Sequence, residues 1–378
     1  MTPKDDDAAE GTETAMMRRR LLLWATIVLA CGLGGCAAAP RARMERIEAG
    51  KDGRGFVGAA SGRRFVPWGF NYDRDYRLRL LEDYWEAEWP TVVRDFGEMK
   101  ALGANIVRVH LQLARFMDGP ETTNGPALAQ LGRLVALAEQ TGVYLDITGL
   151  GCYRKQDVPA WYAALDEARR WDVQARFWEG VAARCAGSPA VFCYDLMNEP
   201  VVPSGRRGAG EWLAGELAGF SYVQFISLDQ AGRARPEIAR QWIGKLVSAI
   251  RRHDRRRLVS VGLLPDPQGA SGFVPREVAK EVDFLCVHLY PDRSKMDEAA
   301  RTLEAFAVGK PVVVEETFPL QCGADELRRF IEGSRQTAAG WLGFYWGRTP
   351  DELRTSREIG DALMLAWLEM FQKARPGN

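Results

Sequence analysis

The chain has 378 residues, 47% hydrophobic and 26% charged, which supplies a large core and excludes a disordered polymer. Lys plus Arg and Asp plus Glu both number 50, so no net field favours nucleic acid or another charged partner. There are 12 tryptophans, and since Trp is costly on a surface unless it binds something, their positions matter.

In chain order, Arg18-Arg19-Arg20 precede an apolar run from Leu21 to Leu33 and then Gly34-Gly35-Cys36. A basic start, a short apolar stretch and small residues at a cut site are the pattern of a secretory signal. The run is too short for a comfortable membrane span. Leu33-Gly34-Gly35-Cys36 resembles the bacterial lipoprotein box, in which the cysteine becomes the lipidated first residue. Residues 1–36 are therefore expected to be a signal segment ending at Cys36, and residues 37–50 a linker. The protein is expected to be exported and held at a membrane, on its periplasmic or cell-surface face, by lipid on Cys36. The later cysteines, Cys152, Cys185, Cys193, Cys286 and Cys322, have no metal-site spacing and are read as buried structural thiols.

From residue 51 to 378 one pattern repeats: a short apolar run, a loop, then an amphipathic helix. The runs lie at 65–70, 105–109, 143–147, 191–197, 258–261, 284–287, 311–314 and 343–345. They are rich in β-branched and aromatic residues and too short for helices. Helical periodicity covers 91–102, 127–140, 173–185, 236–253, 296–308, 325–337 and 358–373. Strands alternating with helices imply a parallel sheet, and eight such runs with right-handed crossovers close most simply into a single-domain (β/α)8 TIM barrel. The rival, an open doubly wound sheet, usually carries a glycine-rich phosphate loop after its first strand, where this chain has Asn71-Tyr72-Asp73-Arg74.

The turns from helix to strand are short, whereas those from strand to helix are long and aromatic, holding Tyr72, Tyr76, Tyr84, Trp85 and Trp89, then Tyr153, Trp161 and Tyr162, then Trp212, Phe220, Tyr222 and Phe225. Barrel enzymes build their sites on that face, so these rings are expected to line it. The basic run Arg251 to Arg257 falls on the opposite face and reads as a solvated helix end, which leaves no reason to expect nucleic acid.

Polar residues gather where the strands end: Asn71 after the first, Arg108 and His110 at the second, Asn198 and Glu199 at the fourth, His288 and Tyr290 at the sixth, Glu315 and Glu316 at the seventh, Trp346 at the eighth. Buried charges at strand ends are expensive without partners, so several converging ones suggest a site. Two carboxylates facing each other across a barrel mouth suit glycoside cleavage: one protonates the leaving oxygen and the other, kept ionised, attacks the anomeric carbon. Arg108 is suited to holding the nucleophile charged and Tyr290 to donating a hydrogen bond to it. Strand alternation lets only one of Glu315 and Glu316 face the site.

These residues resemble glycoside hydrolase family 5 and its clan, the 4/7 superfamily. The matching pieces are Asn198-Glu199-Pro200, His288-Leu289-Tyr290, the run Pro311 to Glu316, Arg108 and Trp346. The resemblance implies Glu199 as acid/base, Glu316 as nucleophile, Arg108 and Tyr290 as its supports, and Trp346 as the floor under the reacting sugar. Asn71, His110, Asn198 and His288 are further expected substrate contacts. No metal or cofactor is implied. A β-linked carbohydrate is the expected substrate, and a monomer the expected state. The paired glutamates resemble the mannanase branch, which places β-mannan first and β-glucan second. The chain departs from the family in having Asp146-Ile147-Thr148 where a histidine often ends the third strand, and Glu316-Thr317-Phe318 where Glu-Phe-Gly is common. A glycan-binding lipoprotein on an inactive barrel and a transglycosylase with the same residues are the alternatives.

Overall fold

The eight apolar runs become the eight parallel strands of a closed barrel in the computed structural model, which describes residues 44–376. They are β1 (Trp68–Tyr72), β2 (Ile106–Gln112), β3 (Tyr144–Gly151), β4 (Val191–Asn198), β5 (Leu258–Leu263), β6 (Leu285–His288), β7 (Val312–Glu316) and β8 (Gly340–Phe344). Each pairs with its neighbours in sequence, and β8 closes on β1, with Trp341 opposite Trp68 and Phe344 opposite Asn71. The first run is shorter than expected, because Phe65 belongs to a separate sheet, and the eighth begins earlier, at Gly340.

Among the described residues seven helices of ten residues or more pack outside: α1 (Trp89–Ala101), α2 (Gly125–Thr141), α3 (Glu167–Cys185), α4 (Arg235–Arg251), α5 (Met296–Phe306), α6 (Ala324–Gly333) and α7 (Ile359–Lys373). Their ends follow local chemistry. Asn124 and Asp166 accept the backbone N–H groups of Ala127 and Arg169 at the starts of α2 and α3. Gly142 ends α2 in the left-handed conformation, φ 71°. The α4 stripe Ile238, Trp242, Ile243, Leu246 and Ile250 is buried, as a helix facing a sheet requires. Between β5 and β6 the chain makes only the single turn Pro275–Val278. Among the described residues no helix is long and apolar enough to cross a membrane.

A three-stranded antiparallel sheet (Ile47–Ala49, Phe56–Gly58, Arg64–Phe65) lies at the N-terminal end of the barrel. Ile47 and Phe56 pack there with Ile106, Phe192, Leu258, Phe284, Val313 and Leu342. The folded body thus begins before residue 51, since residues 47–49 of the expected linker are a strand. The signal segment and Cys36 lie outside the described residues. The basic run is more than a solvated helix end: Arg257 is buried and donates to the Ser188 carbonyl, and Arg251 donates to the Arg257 carbonyl and pairs with Asp283. At the other end of the barrel a β-hairpin (Leu213–Leu217, Phe220–Phe225) rises from the loop after β4.

Candidate active site

Arg108 on β2 is fully buried inside the barrel and organises the charged groups around it. One terminal nitrogen, Nη1, bonds Glu316 at 2.6 Å and Asn71 Oδ1 at 3.0 Å. The other, Nη2, bonds Asp195 at 2.7 Å and Asn198 Oδ1 at 3.1 Å, and lies 3.4 Å from Glu315. Burying a guanidinium is tolerable only with this degree of pairing. The second oxygen of Glu316 accepts from the Tyr290 hydroxyl at 2.6 Å. Burial and the neighbouring Glu316 charge hold Tyr290 well above the ordinary tyrosine range, so it stays a donor.

Strand alternation lets only one of the paired glutamates face the site, and Glu316 alone lines the pocket, but for a local reason Glu315 does not point away from it. Val287 pairs with Val314, but His288 pairs with Glu316, so β7 carries one extra residue at its end. That bulge turns both carboxylates toward Arg108. They sit at different depths: Glu316 lines the open pocket, while Glu315 is fully buried beneath it. Burial opposes ionisation of Glu315, but Arg108 and the His288 hydrogen bond outweigh it and hold the group down at about 2. Close by, Asp195 is pushed up to about 6, mainly by burial and the Glu315 charge, and Asp146 is driven well above the usual carboxylate range by the same two causes.

His288 joins the two depths. Its Nδ1 lies 2.9 Å from Glu199 and 3.5 Å from Glu316, and its Nε2 3.1 Å from Glu315. Burial alone would depress it, but the Glu316 charge and the bonds to Glu199 and Glu315 raise it to about 10, so it is a cation at neutral pH. Gly262 on β5 leaves room for this arrangement: a Cβ there would meet His288 Nε2 at 2.8 Å and both Arg108 Nη2 and Glu315 Oε2 at 3.0 Å.

Glu199 follows β4 with φ 45°, in the left-handed region that a residue with a side chain rarely occupies. Its backbone is fixed in that state by bonds from its N–H to the Gly262 carbonyl and from Gln224 N–H to its own carbonyl. One carboxylate oxygen of Glu199 lies within 4.8 Å of one of Glu316. That close approach agrees with the short spacing, roughly 5–5.5 Å, between the carboxyls of retaining glycosidases.

The pocket above these groups has a volume of about 230 Å³. His110, Glu199, Tyr290, Glu316 and Trp346, all expected from sequence, line it. Arg108, Asn71, Asn198 and His288 do not; they form its supporting layer, with their polar atoms engaged by protein except Arg108 Nε, which is buried without a partner. Asn71 Nδ2 donates to the Glu315 and Gly343 carbonyls, tying β1 to β7 and β8. Asn198 Nδ2 donates to the Tyr222 carbonyl. Thr148, where the family often has histidine, bonds Asp195. His110 bonds the Tyr153 hydroxyl through Nδ1, and burial together with the Arg108 charge holds it well below the ordinary histidine range, so its ring is neutral.

Sequence reasoning missed Asp73, Arg74, Phe318 and Phe344 as lining residues, and Asp195 in the layer below, where Glu315 also sits. Asp195 stood in plain view three residues before Asn198, on the same strand; only the partner that neutralises it was invisible. Most of the loop aromatics expected to line the pocket are instead buried in the protein, among them Tyr72, Tyr84, Trp85, Tyr153, Tyr162, Trp212 and Phe220. Tyr222 alone of that set reaches the cavity.

The family model described as cellulase (glycosyl hydrolase family 5) matches residues 73–347. No curated protein matches the chain by sequence. Among solved structures the chain is similar to an exo-β-1,4-mannosidase from Opitutaceae bacterium strain TAV5, with 16% identity and a TM-score of 0.64 over 86% of this chain. It spans 61% of that mannosidase. It is similar also to a GH5_18 protein from Streptomyces cattleya in complex with GlcNAc, with 18% identity and a TM-score of 0.60 over 83% of this chain and 82% of that one. The endo-1,4-β-mannanase of Rhizomucor miehei gives 16% identity and a TM-score of 0.58, over 86% and 99%. At these identities the likeness is one of fold.

Proposed function

Since the chain belongs to glycosyl hydrolase family 5, a family of retaining O-glycosyl hydrolases, we propose that it cleaves β-mannosidic bonds by double displacement, with Glu316 as nucleophile and Glu199 as acid/base. The observation that carries this reading is Glu316 in an open pocket, one oxygen on Arg108 and the other on Tyr290, with Glu199 close across from it. Glu316 attacks the anomeric carbon as the glycosidic C–O bond breaks, and Glu199 gives its proton to the departing oxygen. Glu199 then takes a proton from water, which attacks the same carbon and frees Glu316. Arg108 and Tyr290 orient the attacking carboxylate, and Trp346 supplies an apolar face to the sugar.

The sugar assignment is supported by the names of similar folds, a mannosidase and a mannanase, and by the paired glutamates. β-Glucan is the second choice. The test is turnover of aryl β-mannoside, aryl β-glucoside, β-mannan and β-glucan by purified protein, with the first sugar configuration followed by NMR. Retained β-mannose supports the reading. Faster glucoside turnover overturns the sugar, and an inverted product overturns the mechanism. We further infer that lipid on Cys36 anchors the exported enzyme at a membrane; wild type recovered as soluble periplasmic protein, like a Cys36→Ser variant, would refute that.

A further inference from the structure

Which end of a bound sugar chain is free follows from where the pocket is walled. The proton donor, Glu199 after β4, marks the leaving-group side. The reacting sugar then lies toward the opposite side, over the ends of β8 and β1, where Trp346, Asp73 and Arg74 line the cavity. That side is blocked. The hairpin from the loop after β4 crosses to the loop after β1, and the Arg74 Nη1 donates to the Tyr222 hydroxyl at 3.0 Å. The same guanidinium lies 4.9 Å from the Trp346 ring centre and 5.7 Å from that of Phe220.

This partition is anchored from behind. Phe220 is buried against Leu80 and Tyr153, with Tyr222 packed on the cluster. Tyr153 and Tyr222 rings are 5.0 Å apart, and Ser221 N–H bonds the Tyr153 carbonyl at 2.7 Å. Arg154 covers Phe220 at 5.6 Å and pairs with Asp83 at 2.6 Å. By contrast, Leu217 and Leu320, each 59% exposed, stand at the open rim. At about 230 Å³ the cavity is also below the roughly 300–1,000 Å³ of pockets that take drug-sized ligands.

We propose that the Arg74–Tyr222–Phe220 partition makes the enzyme exo-acting: it admits one terminal sugar from the non-reducing end, and Arg74 reads that sugar's outer hydroxyls. Among the described residues the Arg74 side chain makes no ion pair and one hydrogen bond, so its remaining guanidinium N–H groups are available for a ligand. The inference rests on the glycoside-hydrolase reading above.

The test uses the full chain on reducing-end-labelled β-manno-oligosaccharides of two to six units, alongside an aryl β-glycoside. Release of single sugars, leaving a labelled ladder shortened one unit at a time, supports the partition, as does resistance of substrates whose terminal sugar carries a 4-O-methyl group. Labelled products shortened by two or more units in the first cleavage, or disaccharide as the first unlabelled product, overturn it while leaving the hydrolase reading intact. Cleavage of no glycoside at all overturns both. Arg74→Ala should lower kcat/KM on the aryl glycoside by about ten- to a hundredfold, the effect of one lost charged hydrogen bond, and Arg74→Ala/Tyr222→Ala should begin to release disaccharide. Unchanged kcat/KM in Arg74→Ala removes its role in reading the sugar.

Discussion

At its N-terminal end the barrel is filled by Ile47, Phe56, Phe192, Leu258 and Phe284, with the Phe56 ring edge-on to Phe192 at 5.1 Å and to Phe284 at 5.2 Å. At its C-terminal end the same strands finish in Asn71, Arg108, Asp195, Glu315 and Glu316, a buried lattice of ion pairs. Apolar packing at the bottom tolerates small shifts and holds the strands together. Charge at the top tolerates few, since each group left unpaired costs the full desolvation of an ion. The difference explains how a barrel keeps stability and chemistry on separate ends: the lower plug fixes strand positions, and those positions make the upper network affordable to fold.

The comparison breaks most sharply at the two pocket glutamates. Glu316→Ala should lose about 10⁴-fold or more in kcat, as expected when a nucleophile is removed. Glu199→Ala should lose about 10²–10⁴-fold on glycosides with poor leaving groups. It should recover with added azide, giving a β-azide of retained configuration; azide with Glu316→Ala should give the α-azide. Equal azide stereochemistry in both variants would reverse or void these roles.

One layer down, Glu315→Gln should lower kcat by up to about 10²-fold with little change in KM, because Arg108 and His288 lose the charge that aims them at Glu316 and Glu199. Wild-type kcat in this variant would show the lower layer to be structural only. A pH titration sharpens the same point. His288 sits above its unfolded value, so the stability it contributes is fully present below about pH 6.5 and is lost as pH climbs through about 10. The melting temperature of wild type should therefore fall more steeply than that of His288→Gln over that alkaline window. At the bottom, Phe56→Ala should cost about 3–5 kcal/mol in denaturant unfolding yet leave kcat/KM unchanged. A matching loss of activity would mean that the two ends are coupled.

The strands and the ring of strand-end polar residues were legible in sequence, because β-branched runs alternate with amphipathic helices and charge interrupts each run where the strand stops. The lower plug was not: Ile47 and Phe56 lie in strands of three residues each, too short to show an alternation. The double use of Glu315 and Glu316 was hidden for a related reason. A single extra residue in β7 reverses the side on which a neighbour emerges, and nothing in the residue types announces it. The loop aromatics misled because ring faces serve equally to pack a wall and to bind a sugar, and only the fold of the β4 hairpin onto Tyr153 and Leu80 tells which.

The left-handed backbone at Glu199 sets folding against catalysis at a single residue. A side chain held there costs on the order of 1–3 kcal/mol, and here it is Glu199, the proposed acid/base, that occupies the strained position. Glycine, indifferent to the sign of φ, should relax it. Glu199→Gly should therefore melt above Glu199→Ala, the reverse of the usual order within regular structure, and the thermostability it gains over its alanine counterpart measures what the fold gives up to hold a carboxylate at this position.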